Sequence, residues 1–302
     1  MKSNTEENTS REYSGSQLQD PLVTCEDIIK IYKQGKLEVV ALRGLTIDLY
    51  PGEITLILGP SGCGKTTLLN LLGGLDIATS GKILFKGRDI TKLSEKELEK
   101  YRRNHVGFVF QFLNLIPDLT AIENIRLPIQ LSGKKTDEEL IKKVLNLVGL
   151  WKRKDHRPDE LSGGEQQRIA VAAALVNNSD LILCDEPTGE LDSEAKSQVM
   201  DLLQELIRTY PEKAIVIVTH DSEIIPIANK VYYLKDGRVS YILDADELEK
   251  HKARLETSPE KGRPQILGSH DKALLFRELK DIKHYIEGKL STLAEEEKKD
   301  DL

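Results

Sequence analysis

One glycine-rich octapeptide constrains the fold of this chain more than any other segment: Gly59-Pro60-Ser61-Gly62-Cys63-Gly64-Lys65-Thr66. Its spacing, G-x-x-x-x-G-K-[ST], is that of a phosphate-binding loop. A continuous apolar run at residues 54–58 precedes the octapeptide, and Lys65 to Leu72 has the pattern of a helix. Because such a loop joins a buried strand to a helix that covers the sheet, these segments predict an α/β fold with a mainly parallel core sheet.

Each part of this loop has its own role toward a nucleotide. Lys65 adds a positive charge, the Thr66 hydroxyl can bind Mg2+, and Thr67 can reach the α-phosphate. The backbone N–H groups of the glycine-rich part can curl around the β- and γ-phosphates. The candidate phosphate-binding residues are Gly59, Pro60, Ser61, Gly62, Cys63, Gly64, Lys65, Thr66 and Thr67. The Cys63 thiol is either activated by the neighbouring amides or buried and inert.

A second candidate anion site lies about a hundred residues further on, in Leu161-Ser162-Gly163-Gly164-Glu165-Gln166-Gln167-Arg168. Its serine and two glycines precede a helical run from Gln166 to Leu175. The start of a helix offers free backbone N–H groups and the positive end of the helix dipole to an anion. One chain therefore carries two anion sites, and the second needs an explanation.

Two adjacent acids supply the other half of a nucleotide site. Asp185 and Glu186 end the apolar segment Leu181 to Cys184, which is typical of a buried strand. Asp185 can hold the Mg2+ shell, and Glu186 can polarise an attacking water. His220 follows another apolar segment, Ala214 to Thr219, and could donate to the γ-phosphate. A single histidine of this kind is also compatible with a purely structural role.

Composition divides the 302 residues into three parts. Residues 1–20 are polar and are expected to form a disordered tail. Residues 21–245 form the predicted domain, with short strands at Val23–Tyr32, Leu45–Leu49 and Glu53–Leu58 in an N-terminal β region, and a helical subdomain at about 112–161 inserted between the later strands. Residues 246–302 are a charged extension, whose apolar residues recur at helical spacing from Leu275 to Leu293.

Charge and cysteine usage exclude several classes. The formal net charge of −7 and the pI near 5.6 argue against a nucleic-acid partner, since such proteins usually carry a basic stripe. Three scattered cysteines form neither a disulfide framework nor a paired metal motif, which favours a reduced, cytosolic setting. No secretory signal and no apolar run of about 18 residues is present, so any work at a membrane needs a partner chain.

With these elements in this order, residues 22–245 resemble the nucleotide-binding subunits of ATP-binding cassette (ABC) transporters. The octapeptide at Gly59 matches the Walker A motif, residues 161–166 match the signature and residues 181–186 match the Walker B strand. The remaining matches are Gln111 in the Q-loop, Asp192 in the D-loop, the switch histidine His220, and Tyr32, where the family stacks an aromatic ring on adenine. Four phrases resemble the lipoprotein-releasing and macrolide-exporting branch: residues 71–76, 108–111, 114–117 and 123–124.

The resemblance implies a P-loop NTPase of the ABC ATPase fold, with a mainly parallel core sheet, an N-terminal antiparallel β region and an inserted helical subdomain. It also implies that the chain binds ATP and Mg2+ and hydrolyses ATP. Its expected catalytic residues are Glu186, His220, Gln111 and Lys65, and its expected metal contacts are Thr66, Gln111 and Asp185. Two such subunits, identical or different, pair head to tail. Ser162, Gly163, Gly164 and Asp192 then complete the partner's ATP site, so an isolated chain should bind ATP but hydrolyse it poorly.

The family resemblance further implies an integral membrane permease on a separate chain and a peripheral position on the cytoplasmic face of the membrane. The apolar patch at residues 112–117 is either the socket for a permease helix or ordinary internal packing. Glu190 departs from the branch, which usually has Asn there; this acid is either tolerated or slows ATP-driven closure. The extension at 246–302 either pairs subunits, binds a regulator or packs on its own domain.

Other functions use the same motifs. A regulatory ATPase of the cell-division type would signal across a membrane without moving a substrate, and the sequence does not separate it from a transporter. Soluble ABC ATPases of DNA repair or translation usually carry a coiled-coil insertion or two cassettes, and neither is seen in this sequence. A GTPase is disfavoured by the signature and by the lack of an Asn-Lys-x-Asp motif.

Overall fold

A computed structural model describes residues 20–35, 37–111, 114–243 and 248, and these residues form ten strands and six α-helices. The strands are β1 (Val23–Gln34), β2 (Leu37–Leu49), β3 (Ile54–Leu58), β4 (Ser80–Phe85), β5 (Arg88–Asp89), β6 (Val106–Val109), β7 (Leu181–Asp185), β8 (Ala214–Thr219), β9 (Lys230–Lys235) and β10 (Arg238–Leu243). The helices are α1 (Lys65–Leu72), α2 (Glu95–His105), α3 (Ala121–Leu131), α4 (Glu138–Leu147), α5 (Gly163–Val176) and α6 (Ser193–Thr209).

The strands form two sheets. The first is antiparallel, with the order β2-β1-β4-β5. The second has the order β10-β9-β3-β8-β7-β6, in which every pair is parallel except β10 with β9. An antiparallel N-terminal sheet beside a mainly parallel core sheet is the predicted fold class, which is confirmed.

The opening hairpin is longer than the sequence predicted. The second strand was expected at Leu45–Leu49, but β2 begins at Leu37 and pairs with β1 along most of its length. Its first residues include exposed apolar side chains such as Leu37 and Val39, so they lack the alternation that marks a half-buried strand. This part of the strand is held by pairing with β1. Pairing with another strand does not show in the local amino-acid pattern, so the sequence did not predict it.

Both faces of the core sheet are buried. Along β3, Ile54, Leu56 and Leu58 belong to the larger of two apolar cores, and Ile57 belongs to the smaller one. Side chains from α3, α4, α5 and α6 contribute to the larger core, whereas α1, α2 and the antiparallel sheet contribute to the smaller. A strand covered on both faces needs apolar residues at every position, which explains the continuous apolar runs in the sequence.

Helix boundaries follow local capping signals. Thr120 caps α3 and Ser162 caps α5, each in a reciprocal pair with a glutamate three residues later. The helical run expected from Gln166 therefore begins at Gly163, because the Ser162 cap starts the helix one turn earlier than the apolar pattern does. The apolar run from Val106 to Phe110 is typical of a buried strand, and β6 ends one residue before the end of this run, at Val109.

Some predicted segments lie outside the described residues. These are the N-terminal tail up to residue 19, Phe112 and Leu113 of the apolar patch, and the extension including the Leu275–Leu293 stripe. One residue of the extension is described: Leu248, beyond the predicted domain boundary at 245, is 4% exposed and belongs to the larger core.

Candidate functional site

Sheet order brings several of the predicted site residues to one edge. Strand β8 lies between β3 and β7, with Leu58 opposite Thr219 and Asp185 opposite Val218. Because the strands are parallel, the segments that follow them leave the sheet at the same edge. The glycine-rich loop, His220 and Glu186 therefore lie side by side there, and Gln111 follows β6 at the same edge.

Close backbone contacts explain the glycines of the loop. A Cβ on Gly59 would lie 2.3 Å from the Leu234 carbonyl oxygen, and one on Gly64 would lie 2.6 Å from the Ala41 carbonyl oxygen. Gly64 also has φ +107°, a conformation that residues with side chains rarely adopt. Gly62, with φ +79°, has no atom within 4 Å on that side. The loop is thus packed against the domain at both ends and open in its middle.

Lys65 is folded into this loop. Its Nζ donates to the carbonyl oxygens of Gly59, at 2.8 Å, and Pro60, at 3.1 Å, and the residue is 8% exposed. These hydrogen bonds to carbonyl oxygens offset the free-energy cost of burying the ammonium group. The ammonium group is held within the turn whose amides were predicted to bind phosphate.

Thr66 at the start of α1 and Asp185 at the end of β7 bring two oxygen ligands together. The Thr66 hydroxyl hydrogen-bonds the Asp185 carboxylate, and burial, assisted by the charge of Glu186, raises the pKa of Asp185 despite this bond and Lys65. A half-buried carboxylate without a full counter-charge fits a divalent cation. The described residues hold no group of three or more histidine, cysteine, aspartate or glutamate side chains suited to a metal. This donor set fits Mg2+, which usually takes one or two protein oxygens and completes its shell with water and phosphate.

Glu186 is held by three donors. Its Oε2 accepts from the Thr219 hydroxyl at 2.5 Å, and its Oε1 accepts from the His220 backbone N–H at 3.1 Å and lies 2.8 Å from His220 Nδ1. Glu186 also has φ +47°, an uncommon conformation for a residue with a side chain. Its side chain is 13% exposed, whereas that of His220 is 64% exposed. The carboxylate is fixed in orientation while the imidazole remains accessible.

Tyr32 lies beside the loop helix. Its hydroxyl donates to Asp76 at 2.7 Å and also hydrogen-bonds the Thr67 side chain, and Lys30 Nζ lies 4.8 Å from its ring centroid. Tyr32 is 37% exposed and pairs across the hairpin with the exposed Val39. An aromatic ring fixed at its hydroxyl, with an apolar neighbour, is suited to stacking on a base.

Cys63 is buried at 5% exposure, and burial raises the pKa of its thiol despite the nearby Lys65. A thiol with a raised pKa is less often ionised and is a weaker nucleophile. Of the two alternatives for Cys63, the geometry favours the inert one.

The signature residues lie at the start of α5 and contact α6. Ser162 Oγ accepts from the Glu165 N–H at 3.2 Å, and Glu165 accepts from the Ser162 N–H at 2.9 Å. By position, the Gly163 and Gly164 N–H groups have no carbonyl partner within the helix. A Cβ on Gly164 would lie 2.7 Å from the Ala195 Cβ. Among the described residues, no side-chain hydrogen bond or ion pair joins the signature to the glycine-rich loop.

Three further predicted positions are exposed or serve a local role. Gln111 is exposed, and so is Glu190. Asp192 accepts from the Ala195 N–H at 2.8 Å as the cap of α6. Of the apolar patch, Ile116 is 41% exposed while Leu115 packs on the larger core.

Sequence reasoning missed Thr219 and Asp76. Thr219 looked like the last residue of a strand, and Asp76 like part of a family phrase. Only a threonine directly before His220 at a strand end hinted at the first; nothing local pointed to the second, because its partners Lys30 and Tyr32 are more than 40 residues away.

The fold and this sheet edge define a P-loop nucleotide-binding protein. Comparison with known proteins narrows that class. The family model described as ABC transporter matches residues 42–189. The lipoprotein-releasing system ATP-binding protein LolD of Francisella tularensis is 40% identical over 76% of this chain and all of its own length. The macrolide export ATP-binding/permease protein MacB of Pasteurella multocida is 38% identical over 86% of this chain, which spans 39% of MacB.

Solved structures show the same similarity to ABC transporter proteins. A dimeric ABC transporter cassette, MJ0796, is 39% identical, with a TM-score of 0.67 over 74% of this chain and 98% of the cassette. A second structure of MJ0796, described as a post-hydrolysis state bound to ADP and Pi, matches equally well. This chain belongs to the ABC transporter family and has the ATP-binding cassette fold of its transport ATPases. In the described part of the chain, no helix is both long and apolar enough to cross a bilayer.

Proposed function

We propose that this chain is the ATP-hydrolysing subunit of a transporter, in which two cassettes pair head to tail and drive a membrane subunit on a separate chain. One observation carries the proposal: the chain holds two complementary half-sites. The loop, Asp185, Glu186 and His220 share one sheet edge, whereas Ser162, Gly163 and Gly164 lie at the start of α5, where Gly164 packs against α6. A second copy, placed head to tail, would bring its signature to the first copy's loop.

The glycine-rich loop would bind the phosphates. The open face at Gly62 leaves backbone amides accessible, and Lys65 can exchange its two carbonyl contacts for phosphate oxygens. Tyr32 and Val39 would hold the base. Thr66 and Asp185, with Gln111 as a third contact, would hold Mg2+, which would neutralise negative charge on the phosphates when bound.

Glu186 would act as the general base. Water attacks the γ-phosphorus, the bond from that phosphorus to the bridging oxygen breaks, and ADP and phosphate form. The water proton passes to Glu186, whose orientation is set by Thr219 and His220. With Nδ1–H donating to Glu186, the His220 ring has Nε2 free for the γ-phosphate, and donation from Nε2 requires the protonated ring. The preorganised signature amides of the second copy would stabilise charge on the γ-phosphate.

The membrane subunit would dock near Gln111, on the side of the apolar patch at 112–117. The exposed Ile116 supports this placement. Asn124 holds that loop, since its side chain bonds the Ile116 N–H and three carbonyl oxygens in residues 116–120. A loop held in this way, a few residues along the chain from Gln111, would transmit the nucleotide state to a docked helix. We also place this chain on the cytoplasmic face of a membrane. The similarity to LolD of a lipoprotein-releasing system and to MacB, a macrolide export protein, supports a role in transport.

Subunit mixing tests the proposal. Lys65→Ala removes the loop charge and Ser162→Arg blocks the signature, so each variant alone should have little ATPase activity. A mixed dimer contains one site with both residues intact, so mixing should restore part of the wild-type rate. Wild-type specific activity should also rise with protein concentration. Equal activity at all concentrations, with no recovery on mixing, contradicts the proposal.

A further inference from the structure

Lys196 lies between two parts of the candidate site and belongs to none of the motifs described above. It lies in the second turn of α6, four residues after Asp192. Its Nζ is 2.6 Å from Asp221 Oδ2 and 2.8 Å from Glu223 Oε2. The Lys196 side chain is 16% exposed. Asp221 follows His220 directly, so this lysine joins the helix after the D-loop to the segment after the switch histidine.

Hydrogen bonds continue from Lys196 to the proposed base. Asp221 uses Oδ2 for Lys196 and accepts the Glu223 N–H with Oδ1 at 2.9 Å. The Asp221 backbone N–H donates to Thr219 Oγ1 at 3.0 Å, and that hydroxyl donates to Glu186 at 2.5 Å. Three contacts therefore connect Lys196 to the Glu186 carboxylate, and the backbone of His220 lies within the same stretch.

The other end of this connection is the signature. The start of α6 packs closely on the start of α5, since a Cβ on Gly164 would lie 2.7 Å from the Ala195 Cβ. Arg168 on α5 also hydrogen-bonds Gln198 on α6. Residue 195 is adjacent to Lys196. A displacement of the signature helix is therefore passed to Lys196 through packed atoms rather than through solvent.

The charge of Lys196 is secured by its partners. Burial by itself lowers the pKa of Lys196, but the hydrogen bonds and charges of Asp221 and Glu223 outweigh burial and raise the pKa. The lysine thus stays protonated throughout the neutral range. A partly buried cation with two carboxylate partners holds its position better than an exposed ion pair does.

We propose that Lys196 is a positioning residue, which ties α6 to the Thr219-His220-Asp221 segment and so sets the orientation of Glu186 and His220 from the signature side. The proposal rests on the proposed ATPase function. In this role, Lys196 links the signature, which would complete the ATP site of the partner subunit, to Glu186 and His220, which belong to the chain's own ATP site.

The test compares three variants of the full chain. Lys196→Met removes the charge and keeps the bulk, and Lys196→Arg restores a donor for both carboxylates. The control, Arg126→Met, removes an ion pair between Arg126 on α3 and Glu138 at the start of α4. For Lys196→Met, kcat should fall about ten-fold with KM within about two-fold of wild type, because small displacements of reacting groups are costly. Lys196→Arg should recover most of kcat, and Arg126→Met should leave it near wild type.

A second readout does not need turnover. The imidazole NMR signals of His220, assigned with a His220→Gln spectrum, should shift in Lys196→Met and stay in place in Arg126→Met. Unchanged His220 signals, or a kcat for Lys196→Met equal to that of Arg126→Met, overturn the inference. A failure of Lys65→Ala and Ser162→Arg to restore activity on mixing contradicts the proposed function instead. The His220 NMR signals still decide the role of Lys196 in that case.

Discussion

At the scale of single residues, the site places one carboxylate for metal binding and its neighbour for catalysis. Asp185 faces Thr66, whereas Glu186 turns toward Thr219 and His220. The left-handed backbone at Glu186 separates the two directions. Asp185 is the last residue of β7, and the chain turns at Glu186, so the two consecutive acids serve different parts of one site.

Replacing Glu186 with Gln should stop turnover without preventing ATP-driven pairing. The amide keeps the shape of the side chain but does not take up the water proton, so the ATPase rate should fall by at least about 100-fold. Light scattering after gel filtration should show an ATP-dependent dimer that persists. The matched control is Glu205→Gln, an exposed acid on α6. A Glu186→Gln variant that hydrolyses ATP at the rate of this control refutes the assignment.

Replacing Asp185 with Asn should stabilise the nucleotide-free protein. Burial raises the pKa of Asp185 above its ordinary value, so the charged form weakens folding at neutral pH. This weakening is complete above the folded-state pKa and is relieved as the pH falls through it toward the ordinary value. Asp185→Asn should therefore raise the melting temperature at pH 7, and the gain should shrink in acid. The Mg-ATP-induced rise in melting temperature should become smaller. A lower melting temperature at pH 7 contradicts the prediction.

At the scale of elements, the start of α5 packs closely on the start of α6 at the signature. The two glycines of the signature differ in their surroundings. A Cβ on Gly163 would meet Leu191 at 3.7 Å, an ordinary contact, whereas a Cβ on Gly164 would overlap Ala195. The first glycine is therefore open to a side chain in the folded monomer, and the second is required by helix packing.

Two alanine substitutions separate these surroundings. Gly164→Ala should lower the free energy of unfolding by about 1–2 kcal/mol, because overpacking outweighs the gain in helix propensity. Gly163→Ala should leave it unchanged or slightly higher. Urea unfolding of nucleotide-free protein measures both. Equal stability of the two variants would show that the start of α6 moves away freely, which would also weaken the link proposed through Lys196.

At the scale of the whole molecule, every candidate site residue lies between Tyr32 and His220. The two apolar cores close around the sheet that carries these residues, and Leu248 is part of the larger core. The extension therefore contributes at least one side chain to the folded domain. We expect nucleotide binding to depend on the chain through Leu248 and not on residues further along.

A pair of truncations tests this boundary. A chain ending at Lys250 keeps Leu248 and should bind ATP as the full chain does. A chain ending at Asp246 loses this buried leucine, and its free energy of unfolding should be lower by about 2 kcal/mol, the value for exposing one such side chain. Native mass measurement with and without ATP, made on the full chain and on the chain ending at Lys250, reports whether the later residues affect pairing. Equal stability of the two truncations contradicts the core role of Leu248.

Local patterns predicted much of the fold. Strands β3, β7 and β8 were predicted because strands buried on both faces are continuously apolar, and α1 because it follows the glycine-rich loop. The first half of β2 was missed, since its residues from Leu37 onward are exposed and are held by pairing with β1. The helix α5 was predicted one turn short, because its first turn depends on the Ser162 cap rather than on apolar spacing.

For the site, the amino-acid sequence by itself determined which residues carry the chemistry: a glycine-rich loop ending in Lys65, the acids Asp185 and Glu186, His220 and the signature. These identities follow from short-range needs such as glycine conformations, donor types and strand ends. Their partners were decided by the tertiary structure alone. Thr219 holds Glu186, and Lys196 reaches Asp221, because strand order and helix packing bring together residues 25–33 positions apart. Such contacts depend on the order of whole elements, which no local stretch of sequence encodes.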